Sequence, residues 1–310
     1  MVSGREWIVI LVLAVAAICV PLFGDTFYTK FATRIVIYGM AALAVDILLG
    51  YAGLVSFGHA AFFGIGAYAT GMLIDAGLVS GFLVLPLAVL CAAASAVVIG
   101  ALSLRTSGLY FIMITLAFAQ MIYYLAQSLQ SYGGSDGFSL ATRVTLGGAL
   151  DLNSAVSFYY LCLGLLAAIM FFCARFLRAE FGVVLRGSRD NAVRIEAVGF
   201  PPYRYKIVAF GISGAIAGMA GALMANLNQY VAPLGMMNWE ISGDLLVMVI
   251  LGSAGTLLGP IIGAAVFLLI TEILGGLTSH WMLIFGPLLV LRVLLVKDGL
   301  YGPLRKALAR

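Results

Sequence analysis

Five polar residues stand in or beside long apolar runs of the chain: Asp46, His59, Gln120, Asp244 and Glu272. Ionisable groups in such places are costly, and they usually face a pore, a partner or a membrane interface. One reading of the set is a proton relay. The acids Asp46, Asp244 and Glu272 are not spaced three or four apart on one helix, so each is instead expected near the end of a run, reaching water. His59 follows Ser56 within "GYAGLVSFGHAAFFGIGA" (50–67). The bland role for it is a ring hydrogen-bonded to a neighbouring helix, but His59 and Ser56 are the better candidates for lining a pathway. The second histidine, His280, is far away in sequence, so no histidine metal site is expected. Cys19, Cys91, Cys162 and Cys173 all sit in apolar runs without a CxxC pair and read as small hydrophobes. No nucleophile–base pattern surrounds either histidine, and no GxxxxGK[ST] occurs, so neither catalysis nor P-loop binding of ATP is expected. Gly64-x-Gly66-x-x-Ala69 matches a dinucleotide fingerprint in letters only, because no strand precedes it. No cofactor is expected.

The elements that position these residues follow from composition. Of 310 residues, 63% are hydrophobic and 10% charged, and the mean hydropathy is +1.12. A soluble domain carries about 25% charged residues. The fold class this implies is all-α, a polytopic transmembrane helical bundle forming one domain over 1–310. The net charge of +4 comes with no broad basic surface, which excludes a nucleic-acid partner. Apolar runs predict eight to ten crossings, near 7–23, 35–49, 53–74, 82–103, 108–128, 158–176, 207–229, 242–258, 260–275 and 281–296. The first, which follows Arg5, reads as an uncleaved span in preference to a signal peptide.

Basic residues predict sidedness, since they accumulate in cytoplasmic loops. Residues 175–206 hold seven of the 17 Lys and Arg, and the tail from 292 holds five more. Both segments, and the N-terminus with Arg5, are expected in the cytoplasm. Between them, 207–291 carries no Lys or Arg, which requires an even number of crossings; four fit. The polar stretch 129–157 then falls outside, as do Lys30 and Arg34, the latter two against the rule.

Glycine is abundant, at 37 residues. Gly214-x-x-x-Gly218, Ala217-x-x-x-Gly221 and Gly259-x-x-x-Gly263 are spacings that let helix backbones approach closely in lipid. Two stretches look alike. "GYAGLVSFGHAAFFGIGA" and "GSAGTLLGPIIGA" (252–264) each hold G-x-A-G, a glycine four or five positions on, and a further Gly-Ala. They suggest an internal repeat with a glycine-broken helix in each copy, the alternative being chance in a Gly/Ala-rich chain. Helices broken at matching positions of two halves point to a transport pathway. The pathway candidates are therefore Gly53, Ser56, His59, Gln120, Gly255 and Gly259. The crossing count gives both copies the same orientation; an inverted repeat would need one span recounted.

One insert is out of keeping with its surroundings. "RAEFGVVLRGSRDNAVRIEAVGFPPYRYK" (178–206) is polar and basic. Ser188 and Asp190 are candidate N-caps for a helix over 189–198. Gly199 supplies a C-terminal stop and Pro201–Pro202 prevent continuation. Ala192, Ile195 and Val198 share a face. A ten-residue helix is marginal alone in water, so this one needs a surface to dock on. The bland alternative is a membrane-surface helix that fixes topology.

The stretch "RDNAVRIEAVGFPPYRYKIVAFGISGAIAGMAGALMA" (189–225) resembles the cytoplasmic coupling loop and following span of branched-chain amino acid ABC permeases of the Liv type. Three other blocks agree in collinear order: 50–73, 104–126 and 250–270. The resemblance implies an importer subunit in a bacterial inner membrane. It would pair with a second homologous permease, two ATP-binding subunits and a periplasmic substrate-binding protein. The helix would seat in a groove of an ATPase. Glu196, Ala197 and Gly199 match the family's E-A-x-G element, and Arg189, Asp190 and Arg194 supply charge around it. The substrate implied is Leu, Ile or Val, although permeases of this kind also serve urea, short amides or other amino acids. Two other readings stand beside this one: a stand-alone secondary transporter, motivated by the acids near spans, and a passive channel, which needs no docking helix.

Overall fold

The computed structural model describes residues 17–23, 25–146, 152–278, 280, 282–283, 285–287, 289–290 and 299–302. The expected crossing at 7–23 lies outside them except for 17–23, and the one at 281–296 is described at only a few positions. The first long helix, α1 (Thr26–Asp46), continues as a π-helical segment, Ile47–Ala52. It is longer than the predicted 35–49 because Lys30 and Arg34 do not end it. Both lie on its exposed side, with the Arg34 guanidinium 5.8 Å from the centre of the Tyr38 ring. After a non-helical stretch at 53–58, α2 (His59–Asp75) begins later than the predicted 53. Then come α3 (Gly81–Ser103), α4 (Leu109–Ser128) and α5 (Ala155–Arg178), each within three residues of its predicted bounds at both ends.

The insert forms two helices rather than the one predicted over 189–198. These are α6 (Glu180–Asp190) and α7 (Ala192–Ala197). The break between them falls at Asn191, which adopts extended backbone, and its side-chain oxygen accepts from the Arg194 amide at 3.0 Å. Asn191 is thus the N-cap, in place of Ser188 or Asp190. Arg189 and Asp190 end α6 and do not belong to the short helix. Gly199 stops α7 as expected, with φ +97°. Pro202 occupies the first turn of α8 (Pro202–Asn228), where its missing N–H costs nothing, so α8 begins five residues before the predicted 207. The short α9 (Pro233–Met236) leads into α10 (Trp239–Gly252), and residues 253–258 separate it from α11 (Gly259–Leu277). The predicted 242–258 therefore ends early, at Gly252. The only sheet among the described residues is one antiparallel pair, β1 (Phe138–Ser139) with β2 (Tyr230–Val231).

Among the described residues, seven helices are long and apolar enough to cross a membrane: Thr26–Ala52, α3, α4, α5, α8, Pro233–Gly252 and α11. The 17-residue α2 runs buried among them. Glycine sets how closely they pack. A methyl group on Gly214 or Gly218 would strike Ala96 or Ala92 of α3. One on Gly66 would strike the Gly218 carbonyl, and one on Gly221 the Phe63 carbonyl. In α10 and α11, Gly263 and Gly252 abut the Met248 and Gly259 carbonyls in the same way. Small residues thus bring α8 against both α2 and α3 at backbone distance.

The ends sort into two sides. On one lie the insert, the end of α3 (Tyr203 hydroxyl to Ala101 carbonyl, 2.7 Å), the two breaks and residues 299–302. On the other, the polar segment 129–146 covers the ends of α2, α3 and α8. There Phe138 packs on Gly71, Thr145 bridges to Ser80, and the Val144 amide donates to the Asn226 side chain at 3.0 Å. Arg143 anchors this cover, donating to the Leu152 and Asn153 carbonyls at 3.0 and 3.3 Å and lying over the Phe158 ring. Its burial holds its pKa below the ordinary arginine value.

Candidate functional site

The two glycine-rich stretches meet. Helix α1 descends toward the insert, breaks at 53–58, and α2 returns. Helix α10 descends on the same side, breaks at 253–258, and α11 returns. The copies run in the same sense, and Gly50 of the first lies directly against Gly255 of the second, leaving no space for a side chain. Gly53 and Gly255 turn the chain with φ +70° and +76°, conformations that glycine adopts without strain.

Backbone groups freed at a break inside a membrane must be satisfied by protein or a watery cavity. Here hydroxyls from other helices do it. Ser242 of α10 accepts from the Ala60 amide and donates to the Phe57 carbonyl, both at 2.8 Å. Thr115 of α4 accepts from the Phe57 amide at 3.2 Å, and the Ser56 hydroxyl accepts from Gly58 at 3.2 Å. At the second break the chain uses its own residue: Thr256 accepts from the Gly259 amide at 3.1 Å and donates to the Ser253 carbonyl at 2.8 Å.

Asp46 ties one copy to the other. It is fully buried, and one carboxylate oxygen accepts from the Gly255 amide at 2.7 Å. The expectation that Asp46 reaches water is therefore wrong: a partner 209 residues away in sequence takes water's place. Asp244 and Glu272 are on the exposed faces of α10 and α11. His59 is also fully buried. Its Nε2 lies 2.8 Å from the Ser213 hydroxyl, which donates to the Ala44 carbonyl at 2.6 Å. Since that hydroxyl proton is committed, Ser213 accepts from His59, which places the imidazole proton on Nε2. His59 thus joins α2, α8 and α1, flanked by the Phe62 and Phe210 rings. Of the pathway candidates, Gly53, Ser56, His59, Gly255 and Gly259 gather around the two breaks. Gln120 does not. It is half-buried on α4, five residues past Thr115 and so about 140° around the helix.

The insert reaches this junction. The guanidinium of Arg189 donates to the Gly50 carbonyl, and the Arg189 side chain lies over Gly53, where a methyl group would come within 2.7 Å of Cγ. Beside it, Arg186 lies 5.9 Å from the Tyr51 ring centre. Helix α7 folds back on α6 through Ile195, whose side chain fills the space over Gly187. The rest of 191–200 is exposed, including the apolar Val193 (76%) and Val198 (68%). Phe176, Phe181, Tyr205 and Phe200 form a continuous aromatic row that binds the exit of α7 to the ends of α5 and α8. A separate segment reaches the second break: the Leu300 amide donates to the Leu251 carbonyl at 3.1 Å, and Gly299 packs on Ser253.

Sequence reasoning missed Thr115, Ser213 and Ser242. Isolated hydroxyl residues inside apolar runs were the available signal, because in lipid they seek partners on neighbouring helices.

Apolar helices crossing repeatedly, packed through glycine and enclosing two broken segments, define a multi-pass helical membrane protein. The family model described as "Branched-chain amino acid transport system / permease component" matches residues 27–293, and the chain belongs to that family. It is 28% identical to the high-affinity branched-chain amino acid transport system permease protein LivM of Salmonella typhimurium. That match covers 96% of this chain and 75% of the relative. The LivM of Escherichia coli matches with the same identity and coverage. A probable LivM permease of Methanocaldococcus jannaschii is 25% identical over 77% of this chain and 78% of its own length. No solved structure shows a significant match.

Proposed function

We propose that this chain is the transmembrane permease subunit of an ABC importer. It moves branched-chain amino acids across the inner membrane, driven by ATPase subunits that dock on α7. The observation that carries this is the insert itself. A six-residue helix too short to persist alone is held in place by Asn191, Ile195 and the aromatic row, and it presents Val193 and Val198 to the outside uncovered. Glu196, Ala197 and Gly199 shape its exposed end, with Arg194 beside them. By the positive-inside rule this side is cytoplasmic, and the same rule, applied to Arg5 and the basic tail, supports cytoplasmic termini. Its proposed partners are a second homologous permease, two ATP-binding subunits and a periplasmic binding protein, a reading that membership of a transport-permease family supports. The glycine-rich, mostly apolar surroundings of the breaks suit Leu, Ile and Val. Urea, short amides or other amino acids are the alternative cargo, to be separated by competition for uptake.

The test is ATP-driven uptake by Glu196→Lys and Gly199→Pro variants that still insert. Glu196→Lys reverses a charge on the docking face, and proline cannot adopt the φ of +97° at position 199. Uptake is expected to be lost in both. Unimpaired uptake in both would overturn the proposal. So would uptake by the chain alone in vesicles under an ion gradient, the behaviour of a secondary transporter.

A further inference from the structure

The exposed face of α7 explains how an ATPase could be held, but not how its motion would reach the spans. Two side chains bridge that gap. Arg189, the penultimate residue of α6, donates to the Gly50 carbonyl and covers Gly53. Asp46, one turn before Gly50, accepts from the Gly255 amide at 2.7 Å. Gly50 and Gly255 touch through backbone, with nothing between them to absorb a displacement. Gly50 lies in the last turn of the π-helical segment, where carbonyls lack intrahelical donors, so its carbonyl is free to take a side-chain donor.

We infer that Arg189 and Asp46 are the positioning residues of energy transfer: Arg189 fixes the insert to the first break, and Asp46 fixes the first break to the second. A shift of α6 and α7 is therefore delivered to both breaks together, and the α1–α2 and α10–α11 hairpins move as a pair. Arg189 works inward in this arrangement and is no part of the ATPase-binding surface, which begins after Asn191. The inference rests on the importer reading. Packed, bistable contacts of this kind carry coupling free energies that change a linked equilibrium by about 5- to 150-fold.

The experiment uses the whole importer, with binding protein and ATP-binding subunits, reconstituted in liposomes. ATP hydrolysis and substrate uptake are measured on the same preparation. Arg189 is exposed, so Arg189→Met is expected to fold and to assemble with the ATPases. It should hydrolyse ATP at near the normal rate while uptake per ATP falls by about tenfold or more. Arg189→Lys, which keeps a donor of the same charge, should recover a measurable part of that ratio. Asp46→Asn retains an oxygen acceptor for the Gly255 amide and should keep the ratio near normal, whereas Asp46→Leu should lower it as Arg189→Met does. If Arg189→Met lowers hydrolysis and uptake in proportion, or alters neither, the inference is wrong. If Asp46→Leu does not assemble, the Arg189 pair alone decides. Absence of ATP-driven uptake in the unmodified complex would instead sink the importer reading, and the inference with it.

Discussion

The two glycine breaks share a sequence pattern and an orientation but are held differently. The first, 53–58, depends on helices remote in sequence. Ser242 and Thr115 satisfy its backbone, and Arg189 of the insert grips its entrance. The second, 253–258, supplies its own cap: Thr256 caps α11 from within, while residues 299–300 brace it from below and Asp46 takes the Gly255 amide. A break supported from outside moves when its supports move, while one that carries its own cap tends to move as a unit. The difference assigns the first break to receive motion from the insert and the second to follow through Asp46.

The largest effect should come where the breaks touch. Gly50→Val has no space beside the Gly255 amide and the Asp46 carboxylate, and overpacking there should cost about 3 kcal/mol or more. Loss of folded, membrane-inserted protein in a detergent-solubility assay would check it. Next comes the remote support. Ser242→Ala strands a buried amide and a part-buried carbonyl at once, a cost of about 2–3 kcal/mol, read as a lowered Tm. Gly299→Ala should cost about 1–2 kcal/mol, because alanine is strained at φ +73° and would crowd Ser253. Smallest is Thr256→Ala, which removes one cap bond at the second break, at about 1 kcal/mol. If Thr256→Ala lowers Tm as much as Ser242→Ala, the two breaks are not supported as differently as the structure indicates.

Much of the scaffold was legible beforehand because charge-free runs and span ends are set by composition. The bounds of α3, α4 and α5, the small-residue packing of α8, and the glycine stop at 199 all follow from local rules. What was not legible depended on partners distant in the chain. Asp46 looks like an end-of-span acid until Gly255 is brought to it. For His59 a bond to a neighbouring helix was the bland alternative to pathway lining; the ring makes such a bond, but nothing local names Ser213. Within the insert, Ser188, Asp190 and Asn191 are all competent caps. The choice of Asn191 follows from α6 extending to 190, which is favoured by packing of its buried Val184, Leu185 and Ser188 and by the Arg189 contact, not by propensity.

The central claim is that α7 is the point where ATPases engage the chain. The most direct measurement is capture of co-expressed ATP-binding subunits by the membrane-inserted chain, comparing the native sequence with a Val193→Asp, Val198→Asp double variant. Both positions are exposed. The account predicts capture by the native chain and its loss in the variant, with Tm unchanged. Equal capture by both would contradict it.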